Sequence, residues 1–307
     1  MSVAKLSGVI TAIGTPLGEG DRVDEAGLRR LTRYLVDAGV HGILSNGSMG
    51  GFAFLADDEQ IRSVATTVAE ANGAVPVIGG LGETSTSRAV RMARRIVAEG
   101  VDYLSVLPPF YFFATQEQLI AYFSEIAAAV DVPVFLYDNP VMTKNNIQPE
   151  TVAELRRRVP RIVGIKVSNQ DAVNLQNLLT LMKGDREFAV LTGSEFLVVM
   201  GLQMGCDGCV GGLYNLNPHM AVALYDAWIA GDMVRAAKLQ QDVIATWQLF
   251  RRGHIWGAFD EALRHLGICE RATGSPYVTV MTEEDRQWVR DILDRYVMPY
   301  LSVSAKQ

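Results

Sequence analysis

The residue with the clearest chemical potential is Lys166, in the run Ile162-Val163-Gly164-Ile165-Lys166-Val167-Ser168. The run is apolar, β-branched and of strand length, so its lysine stands where the chain should still be buried. Desolvating an ammonium between Ile and Val is costly. The amine therefore either reaches water along its apolar stem or is held neutral. A neutral amine attacks carbonyl carbon and is the usual route to a Schiff base. On this stretch alone a solvated strand-end lysine and a nucleophile both remain open. Other candidates are weaker. Cys206-Asp207-Gly208-Cys209 has redox spacing but falls on an expected strand, where residues three apart face opposite sides, which speaks against zinc binding or thiol exchange. His41, His219, His254 and His265 are scattered and form no ligand pair, which disfavours a metal-dependent reaction. The turn Gly79-Gly80-Leu81-Gly82 has neither G-x-G-x-x-G spacing nor a following lysine-serine, so no nucleotide site is expected.

The elements that would position Lys166 follow from periodicity. Short apolar runs alternate with amphipathic stretches of helical period: Val9–Ala12, Gly42–Leu44, Val75–Ile78, Tyr103–Val106, Val132–Tyr137, Ile162–Lys166, Phe188–Leu191 and Gly208–Val210 read as strands. Eight strands alternating with helices suit a (β/α)8 TIM barrel better than an open doubly wound sheet. The C-terminal part has no clear strand and several helical stretches. We read residues 1–225 as the barrel and 226–307 as a helical extension packed on it, since no Gly/Ser/Pro-rich linker intervenes. In such a barrel the carboxyl ends of the strands face the active site, which puts Lys166 at the mouth and Tyr137 on the adjacent strand.

Composition narrows the class of function. The chain has 307 residues, 49% of them hydrophobic and 20% charged, and a net charge of −6, which argues against nucleic acid or an anionic membrane as the main partner. Met1 to Leu6 lacks the apolar core of a secretory signal, and no apolar run reaches the length of a membrane span, so a cytoplasmic location is expected. Three cysteines give no disulfide framework.

Together these pieces resemble the dihydrodipicolinate synthase and N-acetylneuraminate lyase superfamily of class I aldolases. Three elements carry the resemblance: Gly47-Ser48-Met49-Gly50-Gly51 at the family's G-[ST]-T-G-E loop, Tyr137-Asp138-Asn139-Pro140 at its Y-x-x-P strand end, and Gly164-Ile165-Lys166 at its G-[IV]-K strand. Residues Gly205 to Asn215 are more similar to the sialic-acid lyase branch. The resemblance implies a cofactor-free lyase in which Lys166 forms an imine with pyruvate or another 2-oxo acid, with an aldehyde as the second partner. It implies Tyr137 as general acid/base, Ser48 as proton relay, and Tyr111 as the tyrosine that the family supplies from a neighbouring subunit. That last role implies a homo-oligomer, a dimer or homotetramer. Backbone N–H groups of Gly47, Met49 and Gly50 would cradle the carboxylate, and Ser168, Glu195, Gly211, Gly212 and Met142 would line the substrate site.

Departures from the family pattern narrow the substrate. Met142 stands where the synthase branch has an arginine, which speaks against a dihydrodipicolinate synthase. Glu195 keeps the lyase branch's acidic residue, whereas Gly212 lacks its hydroxyl. In the strand-two loop a Thr has become Met49 and the closing Glu has become Gly51, removing one hydroxyl and one structural carboxylate from the carboxylate-binding turn. Met49, Phe52, Phe54, Phe112, Phe113 and Met142 are expected in or beside loops at the mouth. They point to a second substrate less polar than a sialic acid, or to a subunit interface. Dehydration of a 2-keto-3-deoxy sugar acid through the same imine, a silent 2-oxo acid binder and a phosphate-binding barrel isomerase are the alternative expectations.

Overall fold

The computed structural model describes residues 5–252 and 254–304; Met1 to Ala4, which carry much of the reading against a signal segment, lie outside them. Eight parallel strands close into a barrel in chain order: β1 (Gly8–Ala12), β2 (Gly42–Ser45), β3 (Val77–Leu81), β4 (Tyr103–Val106), β5 (Val134–Asp138), β6 (Ile162–Val167), β7 (Ala189–Thr192) and β8 (Gly208–Gly211). The seam closes where β8 pairs with β1, Thr11 opposite Gly211. This is the (β/α)8 barrel expected from the alternation.

Several boundaries differ from expectation, and the larger differences have local reasons. β3 and β5 begin at Val77 and Val134, immediately after Pro76 and Pro133, because proline has no N–H to give to a ladder. β3 then continues through Gly79-Gly80, which the sequence suggested as a turn. A Cβ on Gly79 would lie 2.3 Å from Ile96, so the glycine lets a helix sit close against the sheet. The helix Ala172–Leu181 begins where it does because the Asp171 carboxylate caps it by accepting from the Val173 and Asn174 N–H groups. A short helix, Pro140–Thr143, follows β5 and has no signal in the apolar period.

Side chains alternate between two layers along each strand. Ile10, Leu44, Ile78, Tyr103, Phe135, Leu191 and Val210 fill the barrel interior, while two larger apolar clusters join the outer faces of the strands to the helices. Tyr103 and Phe135 meet edge to face at 5.6 Å beneath the level of Lys166. Gly164 makes room for this layer: a Cβ there would fall 2.3 Å from the Phe135 ring.

Helices after the barrel pack back onto it. The Phe259 ring, on helix Ile255–His265, fills the space a Gly14 side chain would need, and Arg271 Nη1 pairs with Asp21 Oδ1 at 2.7 Å. Buried Glu261 holds Arg264, Arg286 and Arg290 at 2.6 to 2.8 Å and so ties Ile255–His265 to helix Glu283–Tyr296. Among the described residues no helix is long and apolar enough to cross a membrane.

Candidate active site

The β5–β6 ladder decides where the candidate nucleophile points. Tyr137 pairs with Lys166 in register, after a shift between Val134 and Phe135, and both side chains face the barrel interior. Lys166 is 6% exposed and Tyr137 5%. Lys166 Nζ stands 4.0 Å from the centroid of the Tyr137 ring. Lys166 also borders a small internal void with Ile10, Leu44, Ser105, Leu191 and Val210, so its stem passes through apolar surroundings. Of the two readings left open by the sequence, the solvated strand-end lysine does not match this burial.

The Tyr137 hydroxyl is where the polar groups converge. Asn139 Nδ2 donates to it at 3.1 Å. Its pKa lies below the ordinary value for tyrosine: burial acts to raise it, but the Lys166 charge and hydrogen bonds from Lys166, Ser48 and Ser168 together outweigh burial. Lys166, Tyr137, Ser48 and Ser168 thus come from β6, β5 and the β2 turn to one point. Such a cluster can pass a proton between a phenol and a nearby amine or hydroxyl.

Behind Tyr137, Asp138 faces the other side of β5. Burial raises its pKa to about 6, against the opposing effect of the Ile147 N–H, which donates at 3.0 Å, and of the Asn169 side chain. It anchors the segment after the short helix and takes no part in the cluster around Lys166.

The glycine-rich turn is built as a donor array. Gly51 N–H donates to the Ser48 carbonyl at 3.2 Å and Thr15 Oγ1 donates to the Gly50 carbonyl at 2.8 Å, which fix the turn. Gly50 has no room for a side chain, since a Cβ would lie 3.0 Å from the Ile13 carbonyl oxygen. Among the described residues nothing accepts from the Ser48 or Met49 N–H groups. Successive free N–H groups in a tight turn suit a carboxylate.

Met49 lies across the mouth. Its sulfur would be 2.8 Å from a Cβ on Gly212, and the side chain packs on the apolar residues of the barrel interior. Glu195 lies beside the same loop: its Oε1 accepts from the Gly212 N–H at 2.8 Å and the Leu213 N–H at 3.1 Å, and a Gly211 Cβ would press on it at 2.8 Å. Phe52 and Leu107 pack on Tyr137, with Phe110 at their edge, and form an apolar wall.

Other expected residues stand apart from this cluster. Tyr111 is 71% exposed, has a φ of +83° and stacks edge to face on exposed Phe112 at 4.9 Å. Met142, on the short helix, is 70% exposed. Phe54 packs against Trp256 and Tyr277. Cys206 precedes β8 rather than lying on it, and burial pushes both its thiol and that of Cys209 up to about 12.

Two residues at the site have no role assigned from the sequence, Asn139 and Gly193. Gly193, just past β7, would bring a Cβ within 2.1 Å of Ser168 Oγ and 3.1 Å of Lys166 Cε. The missing side chain leaves Ser168 Oγ its place beside Tyr137 and keeps the Lys166 stem uncrowded. The signal was present as a glycine at a strand end, but a turn explains such a glycine equally well.

Comparison with known proteins gives a consistent result. The sequence profile described as the dihydrodipicolinate synthetase family matches residues 5–295. An uncharacterised DapA-like lyase of Halobacterium salinarum is 32% identical over 281 residues, covering 92% of this chain and 91% of that protein. A 4-hydroxy-tetrahydrodipicolinate synthase of Methanopyrus kandleri is 34% identical over 241 residues, 78% of this chain and 80% of that one. Among solved structures, YagE, a prophage protein from E. coli K12 crystallised in complex with pyruvate, superposes with a TM-score of 0.89 at 26% identity, covering 95% of this chain and 99% of that one. With a matched profile spanning nearly the whole chain, a barrel of the same shape and Lys166 beside Tyr137, the chain belongs to the dihydrodipicolinate synthetase family.

Proposed function

We propose that this chain is a class I lyase that forms a Schiff base between Lys166 and pyruvate, or another 2-oxo acid, and catalyses reversible aldol cleavage. The observation that carries the reading is the buried Lys166 amine held 4.0 Å from the Tyr137 ring centroid on adjacent, in-register strands. The amine adds to C2 of a 4-hydroxy-2-oxo acid, and loss of water leaves an iminium ion. The C4 hydroxyl gives its proton to Tyr137 as the C3–C4 bond breaks, and the bonding pair moves to the iminium nitrogen, leaving an aldehyde and an enamine. The enamine takes a proton at C3, and water then releases pyruvate and the free lysine.

The lowered pKa of Tyr137 eases this transfer, and the Ser48 hydroxyl extends the relay. The Ser48 and Met49 N–H groups hold the 2-oxo carboxylate. The TM-score of 0.89 to a pyruvate complex supports the choice of acid. Exposed Tyr111 completes the relay of a second subunit, which makes the working enzyme a homo-oligomer, and the cytoplasm is its compartment.

The apolar wall of Phe52, Leu107 and Phe110, with Met49 above Gly212, favours an aldehyde less polar than a sugar. The test compares two substrates in the same assay. A 2-keto-3-deoxy sugar acid is cleaved directly, whereas an arylidene-pyruvate takes up water at C4 and then splits to an aromatic aldehyde and pyruvate. Faster release of pyruvate from the arylidene compound is expected. Faster cleavage of the sugar acid overturns the choice of aldehyde, and release of pyruvate from neither overturns the aldolase.

A further inference from the structure

The turn that offers the Ser48 and Met49 N–H groups lacks the closing carboxylate of the family pattern and has Gly51 in its place. What occupies that space is an aromatic ring. A Cβ on Gly51 would lie 2.0 to 2.7 Å from three atoms of the Phe54 ring. The local backbone folds the ring back in this way: the Phe54 and Leu55 N–H groups both donate to the Gly51 carbonyl, at 3.0 and 3.2 Å. Gly51 itself has a φ of +71°, a conformation that L side chains rarely adopt.

The ring also meets a second glycine, from far along the chain. A Cβ on Gly274 would lie 2.6 Å from Phe54 Cδ2. Trp256 meets the ring edge to face at 5.8 Å, and Tyr277 stands at 6.0 Å. The Tyr277 N–H donates to the Gly274 carbonyl at 3.0 Å, which holds that side of the clamp in shape. Phe54 therefore packs against two glycines at which a side chain would run into its ring. Thr15 secures the turn from the barrel side by its bond to the Gly50 carbonyl.

We infer that Phe54 is a positioning residue for the carboxylate turn: through Gly51 it sets the direction of the Ser48 and Met49 N–H groups, and the C-terminal region sets Phe54. This rests on the reading that the turn binds the carboxylate of a 2-oxo acid. An aromatic plug in place of a carboxylate leaves the donors intact but makes their geometry depend on packing contributed by Trp256, Gly274 and Tyr277. Affinity for the 2-oxo acid then responds to changes that touch neither the acid nor Lys166.

The experiment measures borohydride trapping of pyruvate by the full chain as a function of pyruvate concentration, giving a half-saturating concentration and a plateau, alongside the melting temperature. Phe54→Ala and Gly274→Ala each raise the half-saturating concentration about tenfold while the plateau is kept, because small misplacements of donors are costly. Phe54→Tyr, which keeps the ring, stays within about twofold of wild type, inside the scatter expected of a conservative change. A half-saturating concentration unchanged in folded Phe54→Ala and Gly274→Ala, even with a lower melting temperature, makes Phe54 a packing residue only and overturns the inference. Where Phe54→Ala does not fold, Gly274→Ala and Phe54→Leu are judged by the same criterion. Wild-type protein that traps no pyruvate overturns the imine reading and this inference together, whereas normal wild-type trapping with unmoved variants overturns only the inference.

Discussion

The two sides of the barrel mouth are built on different principles. On the β5–β6 side, Lys166 and Tyr137 sit on strands whose ladder sets which residues face inward, and their neighbours Asn139 and Ser168 are strand-end groups aimed by the same register. On the β2–β8 side the shape comes from what fills the room above glycines: Met49 over Gly212 and Phe54 over Gly51. A ladder keeps its register under many side-chain changes, whereas a packed turn follows each of them. The reactive pair is therefore the robust half of the mouth, and the rim is the half in which the substrate can change.

The sharpest break of this contrast comes from the reactive side. Tyr137→Phe keeps the ring against Phe52 and removes the hydroxyl, and kcat for cleavage falls about 10²- to 10⁴-fold. If steady-state assays find kcat within threefold of wild type, roughly the scatter of context, the proton passes elsewhere. Gly193→Ala tests whether that side tolerates crowding. Its Cβ falls 2.1 Å from Ser168 Oγ but 3.1 Å from Lys166 Cε, so the serine is displaced from the Tyr137 hydroxyl while the lysine stays, and turnover falls about 10²-fold with only a small loss of melting temperature.

Asp138 separates structure from chemistry on the same strand. Its folded pKa is raised to about 6 from the ordinary 3.8, so the native state holds its proton through a window in which the unfolded chain has lost it. The stability this group contributes is present below about pH 4 and declines as pH rises through 6. Asp138→Asn removes the decline. In urea denaturation across that window, the variant gains on the order of 3 kcal/mol relative to wild type as pH rises. A gain that does not depend on pH contradicts the assignment.

The smallest effect belongs to the rim. Gly212→Ser pushes on the Met49 thioether, a flexible chain that moves at a cost of about 1 kcal/mol, and Met49→Ala in the same protein recovers most of it. Additive losses in the double variant show that the two residues do not share that space.

The sequence made the ladder side legible and left the rim largely hidden, for physical reasons. Strand period and the order of eight elements put Lys166 and Tyr137 on neighbouring strands, because alternation with period two is a local property of the chain. The packing of Phe54 against Gly274 and of Met49 against Gly212 joins positions whose separation no local pattern encodes. Gly193 is an intermediate case: its type was visible, but its close approach to Ser168 and Lys166 is a contact between strands that no local pattern encodes. Met142 and Tyr111 were assigned by matching positions, and the single chain leaves both side chains exposed.

The central claim is that Lys166 is the imine-forming residue. The most direct measurement is peptide-resolved mass spectrometry of the chain after borohydride reduction in the presence of pyruvate. The account predicts one reduced pyruvyl group, carried by the peptide containing Lys166 and lost in Lys166→Ala. No adduct, or an adduct that persists in Lys166→Ala on another lysine, would contradict it.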